Sequence, residues 1–190
     1  MNSFNDNNFK LRFDGEQHQL DANVLISSLI HTTAIIQETN KFLDSGKKIE
    51  IKVKALEKGS FLIHIELIET TFDSLKTIFT RENIETGGII ISAFVGFIEI
   101  KKFLKGKSPK KIDQKESKTT ITNQNGDVFI IENSVFNIYE HSSIVQDALS
   151  QNFETLNNDP AISAFEVTDK NENPIIRVEK EEFSDLSLKS

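Results

Sequence analysis

Thr86-Gly87-Gly88-Ile89-Ile90-Ile91-Ser92-Ala93-Phe94-Val95-Gly96-Phe97-Ile98-Glu99-Ile100-Lys101-Lys102-Phe103-Leu104 is the stretch on which the reading of the chain turns. It carries no charge before Glu99. Read as a helix from Ile84 to Leu104, it is about 30 Å long at roughly 1.5 Å per residue, close to the hydrocarbon thickness of a bilayer. Gly88, Ser92 and Gly96 recur every four residues and form a flat stripe, along which two such helices can approach closely. Ile90, Ile91, Phe94, Val95, Phe97 and Ile98 load the remaining circumference. Glu99 lies three residues after Gly96, near the same face, so in an assembly its carboxylates converge on a shared axis. A second reading makes the stretch a core helix, because its uncharged run of 13 residues falls short of the roughly 18 that argue for a span.

The flanks read as ordinary α+β sequence. Phe9, Leu11 and Phe13 alternate with Lys10 and Arg12 as a strand, and 17–20 is a candidate return strand. Asp21 offers an N-cap to a helix of about 22 residues that Ser45-Gly46 stops. Ile49, Ile51 and Val53 alternate with charged residues, and a turn at Glu57-Lys58-Gly59-Ser60 leads to a more apolar strand over 61–68. Phe72, Leu75, Ile78 and Phe79 suggest a short helix before the central one. Further on, 119–122 and 127–131 flank Asn125-Gly126, a strong hairpin signal. Ser142 or Ser143 starts a helix, Asp159-Pro160 breaks it, and 162–167 and 175–178 make a second hairpin. The expected fold class is α+β, with two small antiparallel-sheet and helix domains joined by a central apolar helix. The boundaries are 1–84 for the N-terminal domain, 85–106 for the helix, 107–118 for a basic linker and 119–190 for the C-terminal domain.

Composition excludes several kinds of chemistry. The 190 residues contain no cysteine, which removes disulfide scaffolds, thiolate metal sites and cysteine nucleophiles. The opening residues, Met1 to Asn8, have neither a basic nor an apolar segment, so no secretion signal is expected there. His18, His31, His64 and His141 fall in different elements without metal-ligand spacing. Gly87-Gly88 precedes a helix, but Ile89 and Ile90 stand where a nucleotide loop needs a lysine and a hydroxyl. Asp14, Glu16 and Asp21 read as turn and cap residues. Neither a cofactor nor enzymatic activity is expected.

Net charge is −7, unevenly distributed. Residues 101–118 hold eight lysines against Asp113 and Glu116, a local +6. Lys101, Lys102, Lys105 and Lys107 directly follow the apolar helix, which makes them candidates for an anionic membrane surface or another polyanion. A solvated linker is the plain alternative. Duplex DNA is a poor candidate, because the tract has no aromatic beyond Phe103 and the whole chain is acidic.

Lys52-Val53-Lys54-Ala55, then Gly59-Ser60-Phe61, then the single apolar segment with its lysine-rich exit, resemble the layout of Hailong-type bacterial anti-phage membrane channel effectors. The resemblance covers about a quarter of the chain. It implies a homo-oligomeric ion channel at the cytoplasmic face of the inner membrane, with Gly88, Ser92, Gly96 and Glu99 at the helix packing and the pore. It also implies gating by an oligonucleotide or nucleotide ligand made by a nucleotidyltransferase partner. The alternative expectation is a soluble, cytoplasmic, non-enzymatic adaptor or regulatory binding module with the central helix buried in its core.

Overall fold

A computed structural model describes residues 7–15, 20–54, 62–71 and 86–189. Its first strand, β1 (Asn8–Gly15), buries Phe9, Leu11 and Phe13 on one face and turns Lys10, Arg12 and Asp14 to the other. Asp21 accepts a hydrogen bond from the Asn23 amide (2.7 Å) and starts α1 (Ala22–Leu43), which ends at Asp44 in the left-handed region. The strands β2 (Lys47–Lys54) and β3 (Leu62–Thr71) pair antiparallel as expected, with Ile51 opposite Leu67. The expected return strand at 17–20, the turn at 57–60 and the helix at 72–79 lie in or largely in sequence outside the described residues.

The apolar stretch forms α2 (Thr86–Leu104), and 14 of its 19 residues are buried, so it is a core helix. Glu69 of β3 accepts a hydrogen bond from the Gly87 amide (2.7 Å) at its start, where a carboxylate also meets the positive end of the helix dipole. Lys105 and Gly106, both with positive φ, end it. The chain then makes β4 (Lys111–Lys115), β5 (Lys118–Thr122) and β6 (Val128–Glu132), a three-stranded antiparallel sheet in that order. The expected basic linker at 107–118 therefore contains a strand, 111–115, hairpinned to β5 through Glu116 at φ 50.

Next come α3 (Asn133–His141) and α4 (Ser143–Asn158), the latter capped by Ser142, whose Oγ accepts from the Val145 amide. The hairpin β7 (Ile162–Thr168) and β8 (Pro174–Glu179) leads into α5 (Lys180–Ser187), which opens with a capping box between Glu179 and Glu182.

The fold is α+β, with five helices and two antiparallel sheets among the described residues. The large sheet runs β2-β3-β1-β7-β8. Because β1 pairs with β3 on one side and β7 on the other, strands from 1–84 and from 119–190 share this sheet. The expected pair of separate sheet-and-helix domains is not what forms. Leu11 packs level with Ile63 and Val167, and one apolar layer therefore crosses all five strands. The helices cover that layer: Phe94 of α2 meets Phe9 at 6.0 Å between ring centroids, and Phe153 of α4 meets Phe165 at 5.9 Å.

Candidate interaction surface

The residues singled out on α2 are withdrawn from solvent to different degrees. Gly88 and Gly96 are buried, while Ser92 and Glu99 are half-buried. Ser92 Oγ donates to the carbonyl of Gly88 (2.9 Å), one turn back within the helix. Burial raises the Glu99 carboxyl above its ordinary pKa, and among the described residues it has no ion pair. The four sit on one side of one helix, as their spacing requires.

The lysines after it separate into two pairs. Lys101 is only 2% exposed, and its Nζ donates to Ser150 Oγ (2.9 Å) and to the carbonyls of Leu186 (2.9 Å) and Leu188 (2.6 Å). Burial lowers its pKa to about 8. Lys102 donates to the carbonyl of Arg177 (2.5 Å) and pairs with Glu182 (3.1 Å). Both lysines tie α2 to the C-terminal elements. Lys105 and Lys107, by contrast, are exposed and make no ion pair among the described residues, and the same holds for Lys110 and Lys111. The loop at 123–126 approaches this end of the small sheet, where Gln124 Nε2 donates to the Ser108 carbonyl (2.8 Å) and Lys111 stands opposite Thr122.

The face of the large sheet opposite that apolar layer carries an ion-pair lattice. Glu166, almost fully buried, takes Arg12 at 3.1 Å and Arg177 at 2.6 Å. Arg177 also reaches Asp14 (2.5 Å) and Glu179 (2.5 Å), contacts that hold its guanidinium well above the ordinary arginine value. Lys10 and Arg12 both reach Glu172. Every charge in this lattice has an opposite partner, so it braces β1, β7 and β8 rather than waiting for a ligand.

The small sheet has one covered and one bare face. Ile121, Ile131 and Thr119 are buried, and Phe129 stacks at 5.4 Å on Phe103. On the other face Val128 is 58% exposed and Ile130 60% exposed, beside Thr120 and Thr122. Apolar residues on both faces of 128–131 are visible in the sequence, but which face stays bare depends on where α2 and α3 lie.

Among the histidines, His31 is half-buried with its pKa lowered by desolvation, His64 Nε2 contacts Asn8 Oδ1 (2.9 Å), and His141 Nδ1 donates to the Asn137 carbonyl (2.9 Å). His18 lies outside the described residues. Among the described residues no cluster of histidine and carboxylate side chains is arranged to hold a metal ion.

No family model, no curated protein and no solved structure matches the chain. The resemblance to Hailong-type effectors therefore stands only on the short segments quoted for it. Among the described residues no helix is long and apolar enough to cross a membrane. This overturns the expectation of a transmembrane helix. The physical reason lies in α2 itself, whose charges begin at Glu99 and whose next two lysines are spent on contacts within the chain.

Proposed function

We propose that the chain is a cytoplasmic, non-enzymatic adaptor or regulatory binding module that recognises a single-stranded oligonucleotide at the lysine-bearing end of its small sheet. The observation that carries this is the set Lys105, Lys107, Lys110 and Lys111: four exposed ammonium groups within seven residues, unpaired among the described residues. Elsewhere in the described structure cations are largely matched, as in the lattice around Glu166. Lysines act on phosphate as point charges without base readout. The nearest aromatics, Phe103 and Phe129, are stacked on each other and half-buried, so sequence preference is expected to be weak. The non-enzymatic reading is supported by the partners of the two most buried charged groups. Lys101 is sealed by three acceptors and Glu166 is saturated by two arginines, which leaves neither as a nucleophile or base beside a cleft.

The test is fluorescence anisotropy with a labelled single-stranded oligothymidine. Four phosphate contacts give a salt slope of about −3, an affinity loss of about 50-fold between roughly 50 and 200 mM salt. Lys107→Glu, Lys110→Glu and Lys111→Glu together should abolish binding while leaving the melting temperature nearly unchanged. Binding that survives the triple substitution, or none by the parent chain at low salt, overturns the proposal.

A further inference from the structure

The described sheets present four outer edges, and three of them resist strand addition. On the large sheet, β2 carries Lys47, Lys48, Lys52 and Lys54, while β8 begins with Pro174 and carries Arg177. On the small sheet, β4 carries Lys111 and Lys115. Lysines and proline on an edge strand are the usual guards against pairing with another chain. The remaining edge, β6, has the sequence Val-Phe-Ile-Ile-Glu, with neither lysine nor proline and with Val128 and Ile130 well exposed.

The hydrogen-bond pattern shows which backbone groups that edge offers. The Asn133 amide donates to the Ser117 carbonyl and the Asn123 amide to the Asp127 carbonyl, which brackets the ladder between β5 and β6. Hydrogen-bonded pairs alternate along an antiparallel ladder. Phe129 and Ile131 therefore bond inward to β5, while the amides and carbonyls of Val128, Ile130 and Glu132 point outward.

We infer that two copies of the chain join through β6, antiparallel about a two-fold axis at Ile130, merging their three-stranded sheets into one of six strands. This inference is independent of the oligonucleotide reading, since it uses none of the four lysines. In that register Ile130 faces the same residue of the second copy, and Val128 faces Glu132, so all three outward-pointing residues of each strand are hydrogen-bonded. The exposed side chains of Val128 and Ile130 from both copies then meet diagonally across the new ladder. No like charges are opposed, and Glu132 keeps its own partner, Lys118. The same operation on β4 sets Lys111 against Lys115 twice. A closed two-fold pairing also satisfies the edge completely, where a head-to-tail contact leaves one free.

The absence of cysteine makes a register-specific test available. Across a hydrogen-bonded antiparallel pair the Cα atoms are about 5.5 Å apart, within disulfide range. Ile130→Cys should cross-link to its own copy under mild oxidation. Val128→Cys should not, because the two copies of that residue lie about 13 Å apart along the ladder. Sedimentation velocity should show a concentration-dependent dimer for the parent chain and a monomer for Ile130→Lys, a substitution at an exposed position that leaves the melting temperature intact. A parent chain that stays monomeric at submillimolar concentration, a dimer that persists in Ile130→Lys, or cross-linking of Val128→Cys in preference to Ile130→Cys overturns the inference. In the last two cases the dimer uses another surface or register, and in the first the edge serves a different partner strand. The dimer should persist in the chain carrying Lys107→Glu, Lys110→Glu and Lys111→Glu, so the two readings fail independently.

Discussion

Replacing Lys101 with methionine removes a buried ammonium group and keeps most of its length. The native Nζ satisfies Ser150 Oγ and two carbonyls, those of Leu186 and Leu188, at the end of α5. Hydrogen bonds to a charged group contribute about 1.5–3 kcal/mol each. Against that stands the desolvation that lowers the lysine pKa from 10.5 to about 8, a penalty on the charged form of about 3 kcal/mol. The Leu188 carbonyl keeps Ser150 Oγ as a donor (3.3 Å), but the Leu186 carbonyl is left without one, at a cost of about 1–3 kcal/mol if water does not reach it. The balance is a loss of at least about 2–3 kcal/mol, or at least about 5 °C in melting temperature for a chain of this size. Hydrogen exchange should localise the loss, with amides of α5 opening first. The pH dependence has a definite sign. Below pH 8 the lysine is protonated in both the folded and unfolded chain. Between 8 and 10.5 the unfolded chain binds more protons, so the native protein gains stability as pH rises and the gap to Lys101→Met widens. A melting temperature within about 2 °C of the parent, or a gap that narrows over that window, would refute the account of Lys101 as a desolvated clamp.

Phe153→Ala, which removes a fully buried ring packed against Phe165 and Phe183, should cost about 3–5 kcal/mol in denaturant unfolding. Glu99→Gln should raise the melting temperature at neutral pH and have little effect near pH 4. Burial raises the folded pKa of Glu99, so the native chain loses stability as pH climbs through that range, a loss the amide avoids. Gly106→Ala should destabilise by about 1–2 kcal/mol, since φ is +68 and a Cβ there lies 2.5 Å from Leu188 Cδ1 and 3.1 Å from the Asp185 carbonyl; thermal melts decide it.

Local signals were the most legible. Asp21 and Ser142 announced their helices, Asn125-Gly126 its hairpin, and the alternation of Phe9, Leu11 and Phe13 a half-buried strand. The element α3 was not read because Asn133 directly follows β6 with no turn residue between them. Lysines at 110 and 111 disguised β4 as a linker, although Ile112 alternates with charged neighbours as an edge strand does. The course of the large sheet was beyond reach, because pairing Leu11 with Val167 depends on packing between segments about 150 residues apart and on no local pattern. Nor did sequence distinguish Lys101 from Lys105. Neighbouring lysines differ in role here because one faces α4 and α5 while the other follows the helix end. The small residues of α2 suggested self-association; within one copy Gly88 and Gly96 are buried, and Ser92 and Glu99 on the same side are half-buried.

The position of β1 between β3 and β7 also sets an order of events during synthesis. One flank of that strand finds its neighbour after some fifty residues, but the other waits until residues 162–168 have left the ribosome. Until then Phe13 lacks the Phe165 ring it meets at 5.5 Å in the finished protein, and Arg12 lacks Glu166. Non-local closure of this kind slows folding and prolongs the life of an incomplete, sticky intermediate. Nascent chains stalled before residue 162 should therefore be the ones that chaperones hold and proteases cut.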